Sequence, residues 1–238
     1  MVKLTVVIPT YKEKEHIKTT IAKVYSNLSK LNLNPEIIIV DDSEDETYSI
    51  IKRLQKKHNS LKVIHRVNKR GVGSAIRLGI AKAKGKYVIV FMSDAPDDTK
   101  YFPAILQKLE SGYDLVQTSR FLKGCKMVGY PFIKKVFNWL CNNFIKIAFL
   151  EFRLKDFSSL FKGFNREKIN ALNLNANEFD IGLEIALKSM RNGYSIAEVP
   201  VNWVERERGE SKLFLSRLAI HYVKRVFGTW LNYSHLQK

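Results

Sequence analysis

Apolar residues in the first half of the chain follow two alternating spacings. Short runs rich in β-branched residues are typical of buried strands, and the stretches between them place apolar residues at helical intervals. The predicted strands are Leu4–Ile8, Glu36–Val40, Leu61–Arg66, Lys86–Met92 and Asp114–Thr118. The predicted helices are Glu13–Leu28, Thr47–Leu54, Gly71–Lys82 and Thr99–Leu109. This alternation predicts an α/β fold, with a parallel sheet covered by helices on both faces.

The second half of the chain is less regular. Its pattern predicts one or two amphipathic helices over Pro131–Leu150, a strand within Phe157–Phe164, a helix over Phe179–Arg191, a strand over Ser195–Val201 and a final amphipathic helix over Phe214–Leu231. No stretch rich in Pro, Gly or Ser divides the chain, so we expect a single domain over residues 1–238.

Net charge, cysteine content and the length of the apolar segments limit the possible partners and the possible cellular compartment. The chain carries 40 Lys and Arg against 23 Asp and Glu, a net charge of +17, which would suit nucleic acid, anionic lipid or a phosphorylated substrate. Its two cysteines are too few for a disulfide framework and favour a reducing compartment. We expect neither a signal peptide nor a transmembrane helix, because no stretch of about eighteen residues is free of charge.

Polar clusters follow four of the predicted strands, at Thr10–Glu13, Asp41–Asp45, Asn68–Gly73 and Ser93–Asp98. Parallel sheets bind ligands at this edge. Asp41 could accept hydrogen bonds from a base or ribose, and Asp42 could do the same or stabilise its loop. Gly71 and Gly73 would allow close backbone approach to a phosphate. Each cluster also has a plain structural interpretation: a helix N-cap for the aspartates and an ordinary turn for the glycines.

Taken together, these motifs resemble family 2 glycosyltransferases. The matching segments are Val6–Glu13, Val40–Thr47 and Asn68–Ala75, followed by Gly79 and Gly85. The resemblance runs from about Lys3 to about Leu213 and is greatest to dolichol-phosphate mannose synthases and related polyprenyl-phosphate sugar transferases. It implies a GT-A fold, with a nucleotide-sugar-binding half at 1–122, an acceptor half at 123–213 and an amphipathic helix at 214–238. The implied donor is GDP-mannose or a UDP-hexose.

The metal motif departs from the family pattern. Family members carry Asp-x-Asp after the fourth strand, to bind Mg²⁺ or Mn²⁺ against the donor diphosphate. Here Met92 stands at the first position and Asp94 at the second, while Asp97 and Asp98 follow closely. Mg²⁺ often needs only one or two carboxylates besides phosphate oxygens and water. We therefore expect a divalent metal held by Asp94 and Asp97, although Asp97 and Asp98 could instead cap the next helix.

The resemblance also implies roles for individual residues. Arg206–Lys212 is similar to the Arg-x-x-Gly-x-Ser-Lys segment of polyprenyl-phosphate transferases, and its cationic side chains suit phosphate oxygens. Asp156 and Glu184 match family positions whose roles could be structural. The residues expected to be catalytic are Asp94, Arg206 and Lys212. Those expected to bind the donor are Pro9, Tyr11, Glu13, Asp41, Asp42, Lys69, Gly71, Gly73, Ser93, Asp94, Arg120 and Ser211.

The expected reaction is an inverting transfer of mannose or glucose to a polyprenyl phosphate. Such an acceptor is already ionised near neutral pH and needs no strong base, and no histidine lies near a motif in the sequence. A hydroxyl acceptor would need a carboxylate base, Asp97 or Asp98. The amphipathic segments predict peripheral attachment to a cytoplasmic membrane face, unless they pack into the core. The alternatives are a glycan-extending transferase and a nucleic-acid-binding protein, and the strand-end carboxylates disfavour the latter.

Overall fold

The computed structural model describes residues 2–31, 33–67, 71–94, 98–204 and 221–229, without the side chain of Lys134. Its main sheet has seven strands in the order β3-β2-β1-β4-β7-β5-β8. The strands are β1 Leu4–Thr10, β2 Glu36–Asp41, β3 Leu61–His65, β4 Tyr87–Val90, β5 Leu115–Ser119, β7 Lys162–Asn165 and β8 Ile196–Pro200. All pairings are parallel except those of β7, which lies antiparallel between β4 and β5. Strands β6 (Met127–Val128) and β9 (Trp203–Val204) form a separate parallel pair.

Helices cover both faces of the main sheet, as the sequence predicts. They are α1 Ile17–Ser29, α2 Thr47–Gln55, α3 Val72–Lys82, α4 Phe102–Glu110, α5 Phe132–Phe149, α6 Arg166–Ala171 and α7 Ile181–Arg191, with a 3₁₀ turn at Thr99–Tyr101. Successive strand residues point to opposite faces. Val6 and Ile8 therefore pack in one core with α1, α2 and α4, while Val7 packs in another with α3, α6 and α7.

A third core joins the second half of the chain. It contains Ile145 and Phe149 of α5, Leu183 and Leu187 of α7, and Tyr222 from a helical segment at 221–229. That segment lies inside the predicted helix Phe214–Leu231, whose remaining residues fall outside the described ranges. Within those ranges, no helix combines the length and apolarity that crossing a bilayer requires.

Several predicted boundaries were wrong for local reasons. Helix α1 begins at Ile17 and not at Glu13, because Lys12 has a left-handed backbone (φ 54°) and the Glu13 carbonyl closes a turn with the amide of His16. The strand expected over Phe157–Phe164 is restricted to β7. Pro131–Leu150 forms one helix, and β6, β9 and α6 were not predicted. The division at residues 122 and 213 stays a prediction.

Candidate active site

The carboxyl ends of β1, β2 and β3 meet at one edge of the sheet, where Asp41 pairs in register with Thr10 and with His65. The Asp41 side chain is fully buried. It accepts hydrogen bonds from the Ser43 hydroxyl at 2.6 Å and from Nδ1 of His65 at 2.8 Å. Burial raises the pKa of Asp41, and the bonds from Ser43 and His65 offset only part of that effect.

His65 corrects the expectation that no histidine lies near a motif. It is 24 residues from Asp41 in sequence, yet the strand register brings the two side chains into contact. Its ring also stacks on Tyr48 of α2, with 4.2 Å between the ring centroids. His65 therefore belongs to the candidate site, and the helix N-cap interpretation does not apply to Asp41, because Glu46 occupies the N-cap of α2.

Asp42 makes a buried ion pair with Arg66. The Arg66 guanidinium donates to both carboxylate oxygens, at 2.5 and 2.6 Å, and to the Ser74 hydroxyl on α3 at 2.8 Å. Of the two roles considered for Asp42, the geometry shows loop stabilisation: the carboxylate ties the end of β2 to the start of α3. Its contact with a nucleotide stays a prediction.

The loop after β1 is held against the loop after β2. The amide of Lys12 donates to the Ser43 hydroxyl at 2.7 Å, and the amide of Glu13 donates to Thr47 Oγ1 at 3.0 Å. These bonds place the predicted donor residues Pro9, Tyr11 and Glu13 along the same edge as Asp41. Pro9 and Glu13 are buried and Tyr11 is half-buried.

The glycine pair at the start of α3 contacts a distant part of the chain. The amides of Gly73 and Ser74 donate to the backbone carbonyl of Asn177, at 2.8 and 3.2 Å. Gly71 has a left-handed backbone (φ 83°), and a Cβ there would lie 2.2 Å from the same carbonyl oxygen. Close packing against the 176–178 backbone leaves no room for a side chain at either position, which accounts for glycine at 71 and 73. The Gly73 amide, one of those expected to cradle a phosphate, is thus engaged by Asn177, and any role of Gly71 and Gly73 in donor binding stays a prediction.

Ser93 and Asp94 follow β4. Ser93 is buried, and its carbonyl accepts a hydrogen bond from Thr20 Oγ1 at 2.8 Å. Asp98 accepts from the Lys100 amide at 2.9 Å and caps the 3₁₀ turn, as one of its two interpretations predicted. Five predicted site residues lie outside the described ranges: Lys69, Asp97, Arg206, Ser211 and Lys212.

In the described part of the site, few protein side chains are available to hold a metal ion, so a bound metal would be coordinated mostly by substrate oxygens and water. Among the described residues, no three His, Cys, Asp or Glu side chains converge into a metal-binding group. Within the described ranges, Asp94 offers carboxylate oxygens just after β4. Hard divalent ions accept that donor type, with phosphate oxygens and water completing the coordination.

At the end of β5, Arg120 makes a second buried ion pair. Its guanidinium donates to Asp156 at 2.7 and 3.1 Å, to the Ser158 hydroxyl at 2.8 Å and to the Tyr130 hydroxyl at 3.4 Å. Burial acts to raise the pKa of Asp156, but the charge and hydrogen bonds of Arg120, together with Ser158, bring it below its ordinary range. The pair fixes the Arg120 guanidinium near α5, since Arg120 donates to the Tyr130 hydroxyl and the Asn138 amide nitrogen on that helix donates to the same hydroxyl.

Lys162, the first residue of β7, was missed by the sequence reasoning. It is fully buried beside Val90 of β4 and Gln117 of β5, and its amine donates to Gln117 Oε1 and to the Phe157 carbonyl. Burial lowers the pKa of Lys162 to about 7, and the charge of Asp156 opposes this only in part. A lysine inside the apolar run Phe161–Phe164 was the signal that could have revealed it.

Helix α5 and its neighbours leave an exposed apolar surface. One side of α5 packs in the third core, while the other sides present large apolar groups to solvent, and the helical segment 221–229 does the same. This exposed apolar surface consists of Phe132, Ile133, Trp139, Leu140, Phe144, Ile147, Leu150, Phe152, Val223 and Phe227. The two amphipathic segments are therefore both core-packing and exposed. Contiguous apolar surfaces of this kind mark binding to proteins or membranes.

Comparison with known proteins identifies the family. The model of Glycosyl transferase family 2 matches residues 5–172. A Dolichol-phosphate mannosyltransferase of Pyrococcus furiosus is 31% identical over 227 residues, which cover 94% of this chain but only 63% of that protein. An Undecaprenyl-phosphate mannosyltransferase of Micrococcus luteus is 29% identical over 214 residues, 87% of this chain and 86% of that protein. The chain thus spans less than two thirds of the Pyrococcus relative.

Solved structures agree on the fold. Glucosyl-3-phosphoglycerate synthase of Mycobacterium tuberculosis superposes with a TM-score of 0.68 over 97% of this chain and 80% of that chain, at 18% identity. Its complex with Mn²⁺, uridine diphosphate and phosphoglyceric acid gives a TM-score of 0.70 at 19% identity, covering 97% and 78% of the two chains. The family match and this architecture together show that the chain belongs to glycosyltransferase family 2 and has the GT-A fold.

Proposed function

We propose that this glycosyltransferase moves a hexose, mannose or glucose, from GDP-mannose or a UDP-hexose to a polyprenyl phosphate at the cytoplasmic face of a membrane. One observation carries the proposal: the exposed apolar surface of α5 adjoins the Arg120 ion pair. Tyr130 links the two, because its hydroxyl contacts both Arg120 and Asn138 of α5. A polyprenyl phosphate has the matching chemistry, an anionic head on an apolar chain.

In the proposed reaction, a phosphate oxygen of the acceptor attacks the anomeric carbon. The bond from that carbon to the donor diphosphate breaks, and the nucleoside diphosphate leaves with inversion at the anomeric centre. An ionised phosphate has no proton to lose, so the step needs no general base. Arg120, expected from the sequence to bind the donor, would here lie beside the acceptor phosphate instead, and Arg206, Ser211 and Lys212 would hold phosphate oxygens of donor or acceptor.

A divalent ion, Mg²⁺ or Mn²⁺, would neutralise charge developing on the leaving diphosphate when bound. Asp94 and Asp97 would hold it. The polyprenyl-phosphate mannosyltransferases of Pyrococcus and Micrococcus support the acceptor class, and the Mn²⁺ complex of the Mycobacterium structure supports the metal. Asp98, one of the two bases considered for a hydroxyl acceptor, is engaged by the amide and amine of Lys100, while the other, Asp97, lies outside the described residues.

A transfer assay tests the acceptor class. The purified chain would be incubated with radiolabelled GDP-mannose, UDP-glucose or UDP-galactose, in the presence of Mn²⁺ or Mg²⁺. The acceptors would be dolichyl phosphate, undecaprenyl phosphate and the corresponding free alcohols. We expect label in the lipid phosphates alone. Transfer to a hydroxyl acceptor, with none to either lipid phosphate, would refute the proposal and favour a glycan-extending transferase.

A vesicle-binding assay tests the membrane part separately. Trp139 and Phe144 are 58% and 50% exposed, and burying each in lipid should contribute about 1–2 kcal/mol. The double variant Trp139→Ser/Phe144→Ser should therefore bind vesicles containing anionic lipid at least roughly tenfold more weakly than wild type. Val67→Ser is the matched control, because Val67 is also exposed but follows β3 at the opposite edge of the sheet. Equal binding by all three proteins would exclude this surface as the membrane contact.

A further inference from the structure

The segment 173–178, between α6 and α7, contacts the N-terminal half of α3 through Leu174, Ala176, Asn177 and Glu178, and we name it the support loop. The Asn177 carbonyl accepts hydrogen bonds from two first-turn amides of α3, those of Gly73 and Ser74. Arg77, one turn further along α3, donates to the carbonyls of Ala176 at 3.1 Å and Leu174 at 3.3 Å. The donor-side end of α3 is thus positioned by a segment about 100 residues away in sequence.

The two surfaces fit without room for a side chain. A Cβ at Gly73 would lie 2.6 Å from the Ala176 carbonyl oxygen and 2.7 Å from that of Glu178, and backbone atoms cannot rotate away as a side chain can. Any displacement of the support loop must therefore move the start of α3, and with it the Ser74 hydroxyl that Arg66 binds. Arg66 in turn holds Asp42 at the end of β2.

Glu184 of α7 holds the other side of the support loop. Its carboxylate is fully buried and accepts hydrogen bonds from the amides of Asn175, at 3.0 Å, and Ala176, at 2.8 Å. Lys188 balances its charge at 2.8 Å. A buried carboxylate bonded to consecutive backbone amides fixes their direction strongly, because each bond is charge-assisted.

Arg225 connects this anchor to the helical segment 221–229. Its guanidinium donates to Glu184 at 3.1 Å, to Asp180 at 2.7 and 3.0 Å, and to the side-chain oxygen of Asn175. Tyr222 and Val226, from the same segment, are buried in the third core. A continuous set of contacts therefore runs from the 221–229 helix through Glu184 and the support loop to the start of α3.

We propose that Glu184 and Arg225 are positioning residues for the donor site: they hold the support loop, and the support loop sets the backbone of Gly71–Ser74 for the nucleotide sugar. The donor-site part rests on the proposed function. The mechanical part, that Glu184 restrains the Gly73 and Ser74 amides, does not depend on it.

Hydrogen exchange of the apo protein tests the mechanical part. Glu184→Gln removes the charge and turns an amide group toward the Asn175 and Ala176 N–H groups, so the support loop should loosen. We expect the Gly73 and Ser74 amides to exchange roughly tenfold faster or more than in wild type. The matched control is Glu36→Gln, which alters another buried glutamate that accepts one backbone amide and a lysine, from Lys84 and Lys62. It should leave exchange at Gly73 and Ser74 unchanged.

Kinetics test the donor-site part. Glu184→Gln should raise KM for the nucleotide sugar about tenfold with kcat within about twofold, since only the donor loop is displaced. Arg225→Gln should shift KM in the same direction, and Arg225→Lys, which retains the charge, should restore part of the loss. Unchanged exchange at Gly73 and Ser74 in both Glu184→Gln and Arg225→Gln would overturn the proposal. So would faster exchange with an unaltered donor KM, which would limit the support loop to a structural role.

The exchange and kinetic experiments also distinguish a failure of this proposal from a failure of the proposed function. If no nucleotide sugar is turned over, the exchange result still decides whether Glu184 restrains α3. Should Glu184→Gln fail to fold, Arg225→Gln decides both parts, because its side chain is partly exposed and its loss leaves Lys188 to balance Glu184.

Discussion

The buried amine of Lys162 should make the stability of this protein depend on pH in a predictable way. Lys162 is fully buried, and burial lowers its pKa from 10.5 to about 7. The difference corresponds to a cost of about 5 kcal/mol for holding the charged form inside the fold. Lys162→Met removes that cost, although it also leaves the Gln117 and Phe157 oxygens without the amine that donates to them.

The sign of the effect follows from proton binding. Below about pH 7 the lysine is protonated in both the folded and unfolded states, so the folded state bears the full cost. Between about pH 7 and 10.5 the unfolded chain keeps the proton that the folded chain has lost, and the free energy of unfolding rises with pH by about 1.4 kcal/mol per unit. Above about pH 10.5 the lysine is neutral in both states, so burying it no longer costs the free energy of holding a charge.

Urea unfolding at pH 7.5 and pH 9.5 measures this dependence. The unfolding free energy of wild type, relative to that of Lys162→Met, should increase by about 2–3 kcal/mol between the two pH values. Lys57→Met is the matched control, because it removes the same charge from an exposed position after α2 and should show no such increase. A difference between wild type and Lys162→Met that stays constant with pH would refute the assignment of Lys162 as a buried amine titrating near neutrality.

Three further substitutions probe other contacts. Gly73→Ala should lower the thermal stability by about 1–3 kcal/mol, since its Cβ would lie 2.6 Å from the Ala176 carbonyl oxygen; an unchanged melting temperature would contradict the packing. Asp156→Asn should cost about 3–5 kcal/mol in urea unfolding at pH 7, because it leaves Arg120 without its buried counter-ion. Because folding lowers the pKa of Asp156, the unfolding free energy of wild type should exceed that of Asp156→Asn by less as the pH falls below about 4. A difference between the two proteins that does not change with pH would argue against the ion pair. Asp94→Asn should abolish the metal dependence of the thermal shift caused by a nucleotide sugar, and its persistence would exclude Asp94 as a ligand.

The fold was predictable where its determinants are local. Strand runs and helical spacing placed β1 to β5 and α1 to α4 to within a few residues, and the polar clusters after Thr10 and Asp41 do meet at one edge. A strand was predicted near β7, but its place in the sheet and its antiparallel direction were not predictable. A four-residue strand has too short an apolar pattern to show its direction, and its place between β4 and β5 depends on non-local pairing.

The site was less predictable, because its contacts depend on register and distant partners. His65 contacts Asp41 because β2 and β3 pair with those two residues opposite each other. This register cannot be read from the sequence of either strand alone. Gly71 and Gly73 carry a local signal that suits phosphate binding. Their actual neighbours, the backbone atoms of Ala176 and Asn177, lie about 100 residues later in the chain. No local sequence motif there indicates the contact.

The position of β7 also constrains the order in which the chain can fold during synthesis. Strands β1 to β4 can begin to pair as soon as they emerge, because each has a partner among them, although β4 also pairs with the later strand β7. Strand β5 pairs only with β7 and β8 in the main sheet, and both follow α5 in sequence. At roughly 5–20 residues per second, a ribosome leaves β5 without these strands, and the core-facing side of α5 without α7 and the 221–229 segment, for seconds. Chaperone binding to nascent chains should therefore be concentrated at lengths that expose residues 115–149 before residue 165 has emerged.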